Sequence, residues 1–316
     1  RYFDVTGFNS VNNLYTASYH FNNVSATAGA TVDLRKSETL ALSVSAAWRP
    51  PHVSELYSSG KHQSVGSYEN GLLITKSSQV IDIDEAHVNA EQALKFVTTY
   101  KRSLQNLTIE VGPYANYIFN YIYLRPEGVS NGLRGPGPAF WYTQTDALFL
   151  GADLSGTWEA HQHLKVTPKV SLLRASDERN HTYLTFIPSN RYELAIRYEI
   201  PTRSAVRNFY VESKTSYVAK QSRAPRVIGV RKFIEDPDFN PFADDQRTFD
   251  FIEPPDAYWL WNLAAGFSIK GQKLQYDFRL ASENTLNQTY REYTNRFRYY
   301  ADDMGRNITF SLRCIF

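Results

Sequence analysis

The chain has 316 residues, of which 42% are hydrophobic, 15% aromatic and 21% charged, and its formal net charge is +2. This length suits one large all-β domain or two ordinary domains. The small net charge argues against the basic surface of a nucleic-acid-binding protein, and the apolar content is too high for a disordered chain. A single cysteine, Cys314, excludes an intrachain disulfide framework and a multi-cysteine zinc site.

Alternation between apolar and polar residues is the main pattern of the sequence. No stretch of eighteen apolar residues occurs, so no transmembrane helix is predicted, whereas a period of two is typical of β-strands. From Thr39 to Arg49, for example, every second residue is apolar, ending with Trp48. About eleven strands are predicted, over residues 24–34, 40–48, 94–100, 107–123, 148–158, 164–172, 192–198, 209–219, 259–269, 274–280 and 308–316.

These predicted strands suit a membrane better than water. A soluble β-sandwich also alternates, but several of these strands alternate over roughly twelve to seventeen residues, beyond the usual length in soluble sheets. Their polar positions carry charges such as Lys169, Glu193 and Lys214, which would line a wet lumen. We therefore predict an all-β fold, a transmembrane antiparallel β-barrel of the bacterial outer membrane. Tyr121, Tyr123, Trp158 and Tyr198, near strand ends, should lie at the lipid interface.

The lengths of the connections orient the predicted barrel. Short and long connections alternate, and transmembrane barrels have short periplasmic turns and longer extracellular loops. The last strand then ends at the periplasm, with Phe310, Leu312 and Phe316 on one face as the strand that directs barrel assembly. The predicted turns are 33–39, 101–105, 160–163, 200–205 and 270–272, and the predicted loops are 51–88, 124–138, 221–255 and 283–302.

The strand number predicts that the barrel is incomplete. Single-chain bacterial barrels have an even number of strands, and the sequence predicts an odd number. One interpretation is that the chain supplies half of a barrel of about 22 strands, whose missing upstream strands pair with the first and last strands of this chain. The alternative is that residues 10–20 add one strand, which gives a complete barrel of about twelve strands.

Three stretches of the sequence resemble the TonB-dependent outer-membrane receptors. The most specific is the C-terminal stretch, which has an Asn-Leu-x-Asn-x-x-Tyr-like segment, a Gly-Arg-Asn and an alternating strand that closes on Phe316. The three stretches are residues 46–62 (AAWRPPHVSELYSSGKH), residues 253–266 (EPPDAYWLWNLAAG) and residues 283–316 (ENTLNQTYREYTNRFRYYADDMGRNITFSLRCIF).

The resemblance implies that residues 1–316 form the C-terminal portion of a receptor barrel, without the plug domain and the upstream strands. It implies TonB-dependent import of a scarce nutrient, most often a ferric siderophore. The partners would then be outer-membrane lipid, the TonB complex acting through the missing plug, and a small-molecule or metal-chelate ligand. The alternatives are a receptor for heme, another metal chelate or a small nutrient, and a passive or structural twelve-stranded barrel.

The candidate ligand-binding groups combine cations, which suit anionic chelates, with aromatic rings, which suit flat surfaces. His52 and His62 lie in a predicted outward loop, and heme-uptake members of the resembled family use a histidine in this region. No enzymatic motif, cofactor motif or metal site is predicted, and an outer-membrane barrel protease or lipase is the one enzyme alternative. The candidate residues are Arg49, His52, Tyr57, His62, Tyr142 and Arg191.

Overall fold

The computed structural model describes residues 2–8, 14–132, 135–202, 205–243, 248–271 and 274–316. It contains two short α-helices, α1 (Val53–Tyr57) and α2 (Val230–Glu235), and a 3₁₀ helix at Arg296–Tyr299. Its strands are β1 (Tyr2–Phe8), β2 (Leu14–His20), β3 (Ala26–Arg35), β4 (Glu38–Arg49), β5 (Ser59–His62), β6 (Ser67–Asn70), β7 (Glu91–Ser103), β8 (Leu107–Gly132), β9 (Gly135–His161), β10 (Leu164–Asp177), β11 (Thr182–Tyr183), β12 (Arg191–Ile200), β13 (Val206–Val218), β14 (Arg226–Val227), β15 (Phe249–Asp250), β16 (Tyr258–Lys270), β17 (Gln275–Glu283) and β18 (Asn307–Ile315). None of the helices in these ranges is long and apolar enough to cross a bilayer.

Eleven of the strands form one antiparallel wall, in the order β3-β4-β7-β8-β9-β10-β12-β13-β16-β17-β18. Each wall strand pairs with the next one along the chain, as hairpin connections require. This confirms the predicted all-β, antiparallel fold with about eleven strands. Among the described residues, β3 and β18 do not pair with each other, so the wall has two open edges.

The wall has an apolar face and a polar face because side chains alternate along each strand. On the apolar face large side chains such as Leu154, Ile196 and Val211 remain about 40% exposed. Soluble proteins rarely leave so continuous an apolar surface uncovered, whereas a lipid-facing surface has this composition. On the polar face, Lys214 pairs with Glu193 at 2.9 Å across neighbouring strands.

The connections differ in length at the two ends of the wall, which we name the turn end and the loop end. The turn end has the short connections that the sequence predicted, such as the turns at residues 36–37 and 104–106. Residues 203–204, inside the predicted turn 200–205, and residue 272, at the end of the predicted turn 270–272, lie outside the described residues. The loop end has the long connections 50–90, 178–190, 219–257 and 284–306.

The predicted loop at residues 124–138 is wrong. β8 and β9 continue as a tall hairpin of 26 and 27 residues, and they stay paired up to Gly132 and Gly135. The prolines at 136 and 138 suggested a turn, but they lie in β9 just before the residues, Ala139 to Trp141, where β6 pairs with its other side. A strand edge tolerates a residue without an N–H group. The pairing register of this hairpin shifts at a β-bulge between Pro126 and Gly128, where Gly128 has a φ of 155°.

The alternative of a complete twelve-stranded barrel also fails for the described residues. Residues 14–20 do form a strand, β2, but it pairs with β1 in a separate two-stranded sheet and not with the wall. Residues 10–13 of this alternative lie outside the described residues. Tyr19 of β2 packs against Leu56 and Leu73, which places this end of the hairpin beside the long connection 50–90.

Candidate ligand-binding mouth

The long connections at the loop end pack together with the upper half of the β8–β9 hairpin, residues 121–145, into one layer. We call the described residues of this set, within 50–90, 121–145, 178–190, 219–257 and 284–306, the loop layer. Its aromatic core is a cluster of Phe140, Phe249 and Phe251, which are almost completely buried. The side chains that pack against this aromatic core are Leu124, Val129, Phe186, Ile228, Val230, Phe233, Phe242 and Tyr299. Two further buried clusters include Leu56 and Leu73, and Tyr123 and Leu184.

One extra residue in β8 determines which side chains enter the loop layer. The register shifts between Ile118 and Tyr121, so that Phe119 and Asn120 together lie opposite Asp146. Because side chains alternate with a period of two, this β-bulge moves the following odd-numbered side chains of β8 from the apolar to the polar face. Asn120 has a φ of 53°, a conformation that asparagine adopts more readily than most residues.

The prediction that Tyr121 and Tyr123 lie at the lipid interface is therefore wrong. Tyr123 is buried and its hydroxyl donates to Asp177 at 3.3 Å, while the ring of Tyr121 packs edge-on against Phe149, with ring centroids 5.4 Å apart. Trp158, below the bulge, stays on the apolar face and is 46% exposed. The same strand, β8, thus directs its odd-numbered side chains to the exposed apolar face below the bulge and into the loop layer above it.

A completely buried ion pair lies in the loop layer. The Arg298 guanidinium donates to the Asp250 carboxylate, and both side chains are 0% exposed. Asp250 also accepts from the hydroxyl of Tyr299 at 2.7 Å, and the rings of Tyr293 and Tyr299 both lie 4.6 Å from the guanidinium carbon. Burial, and then the Asp250 charge, raise the pKa of Tyr299 well above its ordinary value.

A second arginine joins the first long connection to the last. Arg296 donates to Glu69 and to Ser67, at 2.5 Å in both cases, across 227 and 229 residues of sequence. The hydroxyl of Tyr300 adds a bond to the carbonyl oxygen of Gly66 at 3.0 Å. The charge-assisted bonds of Arg296 and the bond of Tyr300 hold β6 and the 3₁₀ helix together within the loop layer.

Arg49 and His52, two of the predicted ligand groups, lie close together but already have partners. Arg49 donates to Glu91 and to Glu55, at 2.7 Å each. His52 is the N-cap of α1. Its ring Nδ1 accepts from the backbone N–H of Ser54, and its backbone N–H donates to the Glu55 carboxylate at 2.7 Å. The structure thus gives both residues a part in fixing the start of the first long connection.

Tyr57 and His62 lie further along the same connection. The hydroxyl of Tyr57 hydrogen-bonds the hydroxyl of Tyr19, which attaches α1 to β2. His62 is exposed at the end of β5, and its Nδ1 lies 2.9 Å from the hydroxyl oxygen of Ser64. Both candidate histidines are exposed, but His52 caps α1, whereas His62 caps no helix.

Tyr142 and Arg191 lie on two other wall strands. Burial, and then the nearby carboxylates of Glu69 and Glu55, raise the pKa of Tyr142, so its phenol stays protonated. Arg191 donates to Glu292 at 2.5 Å, and its side chain is 42% exposed. Tyr142 therefore lies near the Arg49 cluster, whereas Arg191 belongs to a separate part of the mouth.

Sequence reasoning missed the residues that hold the loop layer together, namely Arg296, Arg298, Glu69 and Asp250. For the two arginines, the one local signal is the alternation of arginine with aromatic residues from 296 to 300. In the sequence alone, this segment contributes only to the resemblance to the receptor family. The partners of both arginines lie 48 or more residues away, so spacing in the sequence could not indicate them.

Below the loop layer, the polar face forms a charged depression with a volume of about 450 Å³. Besides the Lys214–Glu193 pair, Arg197 lies 3.8 Å from Glu212. Its lining residues are Lys165, Thr167, Lys169, Glu193, Ala195, Arg197, Glu199, Glu212 and Lys214. Within the described ranges, no three histidine, cysteine or acidic residues are grouped so that they could hold a metal ion.

The C-terminal residues lie on the apolar face of the last wall strand. Phe310 pairs with Leu280 and Leu312 with Phe278, and their side chains are 65% and 51% exposed. Phe316 follows β18 directly and is 98% exposed. Their role in barrel assembly stays a prediction.

Comparison with known proteins gives one family and one fold. The family described as "TonB dependent receptor-like, beta-barrel" matches residues 1–284. It is a family of transport receptors and not of enzymes. None of the curated proteins matches this chain.

Several solved structures share the fold at low sequence identity. The copper transporter OprC is 16% identical, with a TM-score of 0.64 over 94% of this chain and 39% of its own. The FrpB iron transporter from Neisseria meningitidis is 11% identical, with a TM-score of 0.57 over 99% of this chain and 42% of its own. The ferric-catecholate import receptor Fiu from K12 E. coli is 14% identical, with a TM-score of 0.57 over 96% of this chain and 36% of its own. This chain therefore spans about two-fifths of the length of these structures.

Proposed function

This chain belongs to the TonB-dependent receptor β-barrel family, and from that premise we propose that it acts in the active import of a scarce nutrient across the bacterial outer membrane. The observation that carries this proposal is the wall itself, with its exposed apolar face, its charged polar face and a packed loop layer at one end. The apolar face meets lipid, and the loop layer faces the medium.

The proposed import needs no covalent chemistry on the ligand. The loop layer binds the ligand outside the cell, and energy delivered by TonB displaces a plug from the lumen. The ion pairs of Arg296 and Arg298 keep the binding surface pre-organised, so that less conformational entropy is lost when a ligand binds.

We also propose that this chain supplies only part of the barrel wall. No described strand pairs with the outer edge of β3 or of β18. A backbone N–H or C=O group without a hydrogen-bond partner in hydrocarbon costs several kcal/mol, so the two edges need partner strands. Further strands would pair with these backbone groups, and a plug would give the charged side chains of the polar face their partners. Residues 1–316 are then the C-terminal portion of the receptor.

A ferric siderophore is the ligand class that we propose first. Three proteins of the same fold are named for copper, iron and ferric-catecholate transport, which supports a metal-containing cargo. The exposed imidazole of His62 favours heme as a second candidate. Arg49, His52, Tyr57, Tyr142 and Arg191 stay candidate ligand-binding residues.

Uptake in cells tests this function. Under iron limitation, cells that carry the gene should accumulate radioactive iron supplied as ferric siderophores, and cells without the gene or without TonB should not. Uptake of a small solute that enters through general porins is the control and should be the same in all three strains. Uptake that is unchanged by loss of TonB would instead indicate a passive channel.

A further inference from the structure

A small cavity of about 140 Å³ lies where the wall meets the loop layer. Its floor is one row of paired residues across four neighbouring strands, Ser171, Arg191, Val218 and Tyr258. Because directly paired residues point to the same side of a sheet, this row lies on the polar face. Residues 292–294 of the last long connection complete the cavity.

The cavity presents one ion pair together with several hydroxyl groups. Arg191 donates one Nη2–H group to Glu292 at 2.5 Å, and the hydroxyl of Tyr258 donates to the same carboxylate oxygen at 3.3 Å. The rest of the Arg191 guanidinium makes no other hydrogen bond within the described ranges. A guanidinium has five N–H groups, so donors remain for a ligand.

Three further hydroxyl groups in the cavity have no hydrogen-bond partner in the part of the chain that the structure describes. They belong to Ser171 in β10, to Ser189 in the connection before β12, and to Thr294 in the last long connection. Each can both donate and accept a hydrogen bond. The cavity therefore offers donors and acceptors side by side, with a net charge close to zero.

We propose that this cavity binds an uncharged polyhydroxyl group, such as the ring of a neutral sugar, as part of the imported ligand. Vicinal hydroxyls suit this lining because each hydroxyl can accept from Arg191 and donate to Glu292 at the same time. Tyr258 lines the cavity, where its ring provides an aromatic neighbour for the C–H groups of the sugar.

The same lining disfavours a small anion. Glu292 already occupies one side of the Arg191 guanidinium, so a carboxylate or phosphate would lie beside another negative charge. Like charges at this distance repel each other, and no second cation of the cavity offsets the repulsion. Inorganic phosphate and citrate therefore serve as the contrasting probes.

This inference rests on the proposed function, but its test measures binding and not transport. The whole receptor, purified in detergent, is titrated with D-glucose, D-galactose, citrate and phosphate, and binding is measured by saturation-transfer NMR. We expect at least one of the neutral sugars to bind and the two anions not to bind. The double variant Ser189→Ala/Thr294→Ala should weaken sugar binding roughly tenfold, because it removes two hydrogen bonds without disturbing the ion pair.

Two controls keep the result interpretable. Ser45→Ala, on the polar face of β4 and outside the cavity, should leave sugar affinity unchanged. Glu292→Gln, which frees the Arg191 guanidinium, should allow phosphate to bind. The proposal is overturned if neither sugar binds, or if the double variant binds sugar as tightly as the parent. No sugar binding to the purified receptor, together with intact TonB-dependent uptake in cells, would reject this inference alone. Sugar binding without such uptake would reject the proposed function.

Discussion

The Arg298–Asp250 pair allows the stability of the loop layer to be predicted with a magnitude. Replacing Arg298 by Met keeps much of the side-chain volume but leaves the Asp250 charge buried without its cation. Removing one partner of a buried ion pair costs about 3–5 kcal/mol. Asp250 retains two hydrogen bonds of 2.7 Å, from Tyr299 and from the backbone N–H of Phe251, so we expect a value of about 3 kcal/mol.

Native-state hydrogen exchange measures this loss where it occurs. The lower end of that range corresponds to an increase of about a hundredfold in the local opening equilibrium, since a factor of ten is about 1.4 kcal/mol. We therefore expect amides of the loop layer, such as that of Ile228, which donates to Asp250 O at 2.8 Å, to exchange about a hundredfold faster. Amides of β10 and β12 should keep their protection.

Arg231→Met is the matched control. Arg231 lies in α2 of the same layer, but its side chain is 88% exposed, and its partner Glu235 is 61% exposed. Such a pair contributes about 0–1 kcal/mol, so exchange should change by less than roughly fivefold. The double variant Arg298→Met/Asp250→Asn should be more stable than Arg298→Met, because it removes the stranded charge. Unchanged exchange in Arg298→Met would refute the structural role of this pair.

Two further predictions concern the wall and the response to alkaline pH. Spin labels at Ile109 and Val111 should be accessible to a lipid-soluble quencher and a label at Glu110 should not, since Ile109 and Val111 lie on the apolar face; the reverse pattern would contradict the assignment of the faces. Because the folded-state pKa of Tyr299 is raised above 10.0, its contribution to stability should be complete below that pH and lost as the pH rises further. The opening equilibrium of the loop layer, measured as hydrogen exchange relative to the intrinsic base-catalysed rate, should therefore increase above pH 10 in the parent and less in Tyr299→Phe, and identical profiles would contradict this.

The wall could be predicted from the sequence because its pattern is local. From Thr39 to Arg49 the alternation determines both the strand and its faces, and β4 occupies Glu38–Arg49. Alternation fails as a guide where backbone pairing continues through residues that favour turns. The stretch from Gly135 to Pro138 is an example, because an edge of the tall β8–β9 hairpin accepts its prolines.

The loop layer could not be predicted because its partners are far apart in the sequence. Arg49 and Arg191 are candidate cations for a ligand, but each forms an ion pair with a carboxylate that lies up to 42 or 101 residues away in the sequence. Arg298 has a neighbourhood of aromatic residues that any exposed loop could contain, and only the folded chain shows that it is buried. The sequence thus indicates which residue types are present at the mouth, but not which of them remain available to a ligand.

The β-bulge at Phe119 and Asn120 makes the side-chain orientation in the upper part of β8 independent of that in the lower part. Below it, β8 must keep the spacing that insertion into the membrane requires; above it, the phase of the strand is set anew. A one-residue insertion or deletion above the bulge would exchange the side chains that β8 directs into the loop layer, while every pair from Leu107 to Ile118 kept its register. The inner surface of the loop layer can therefore change in one step while the lower part of the wall stays the same.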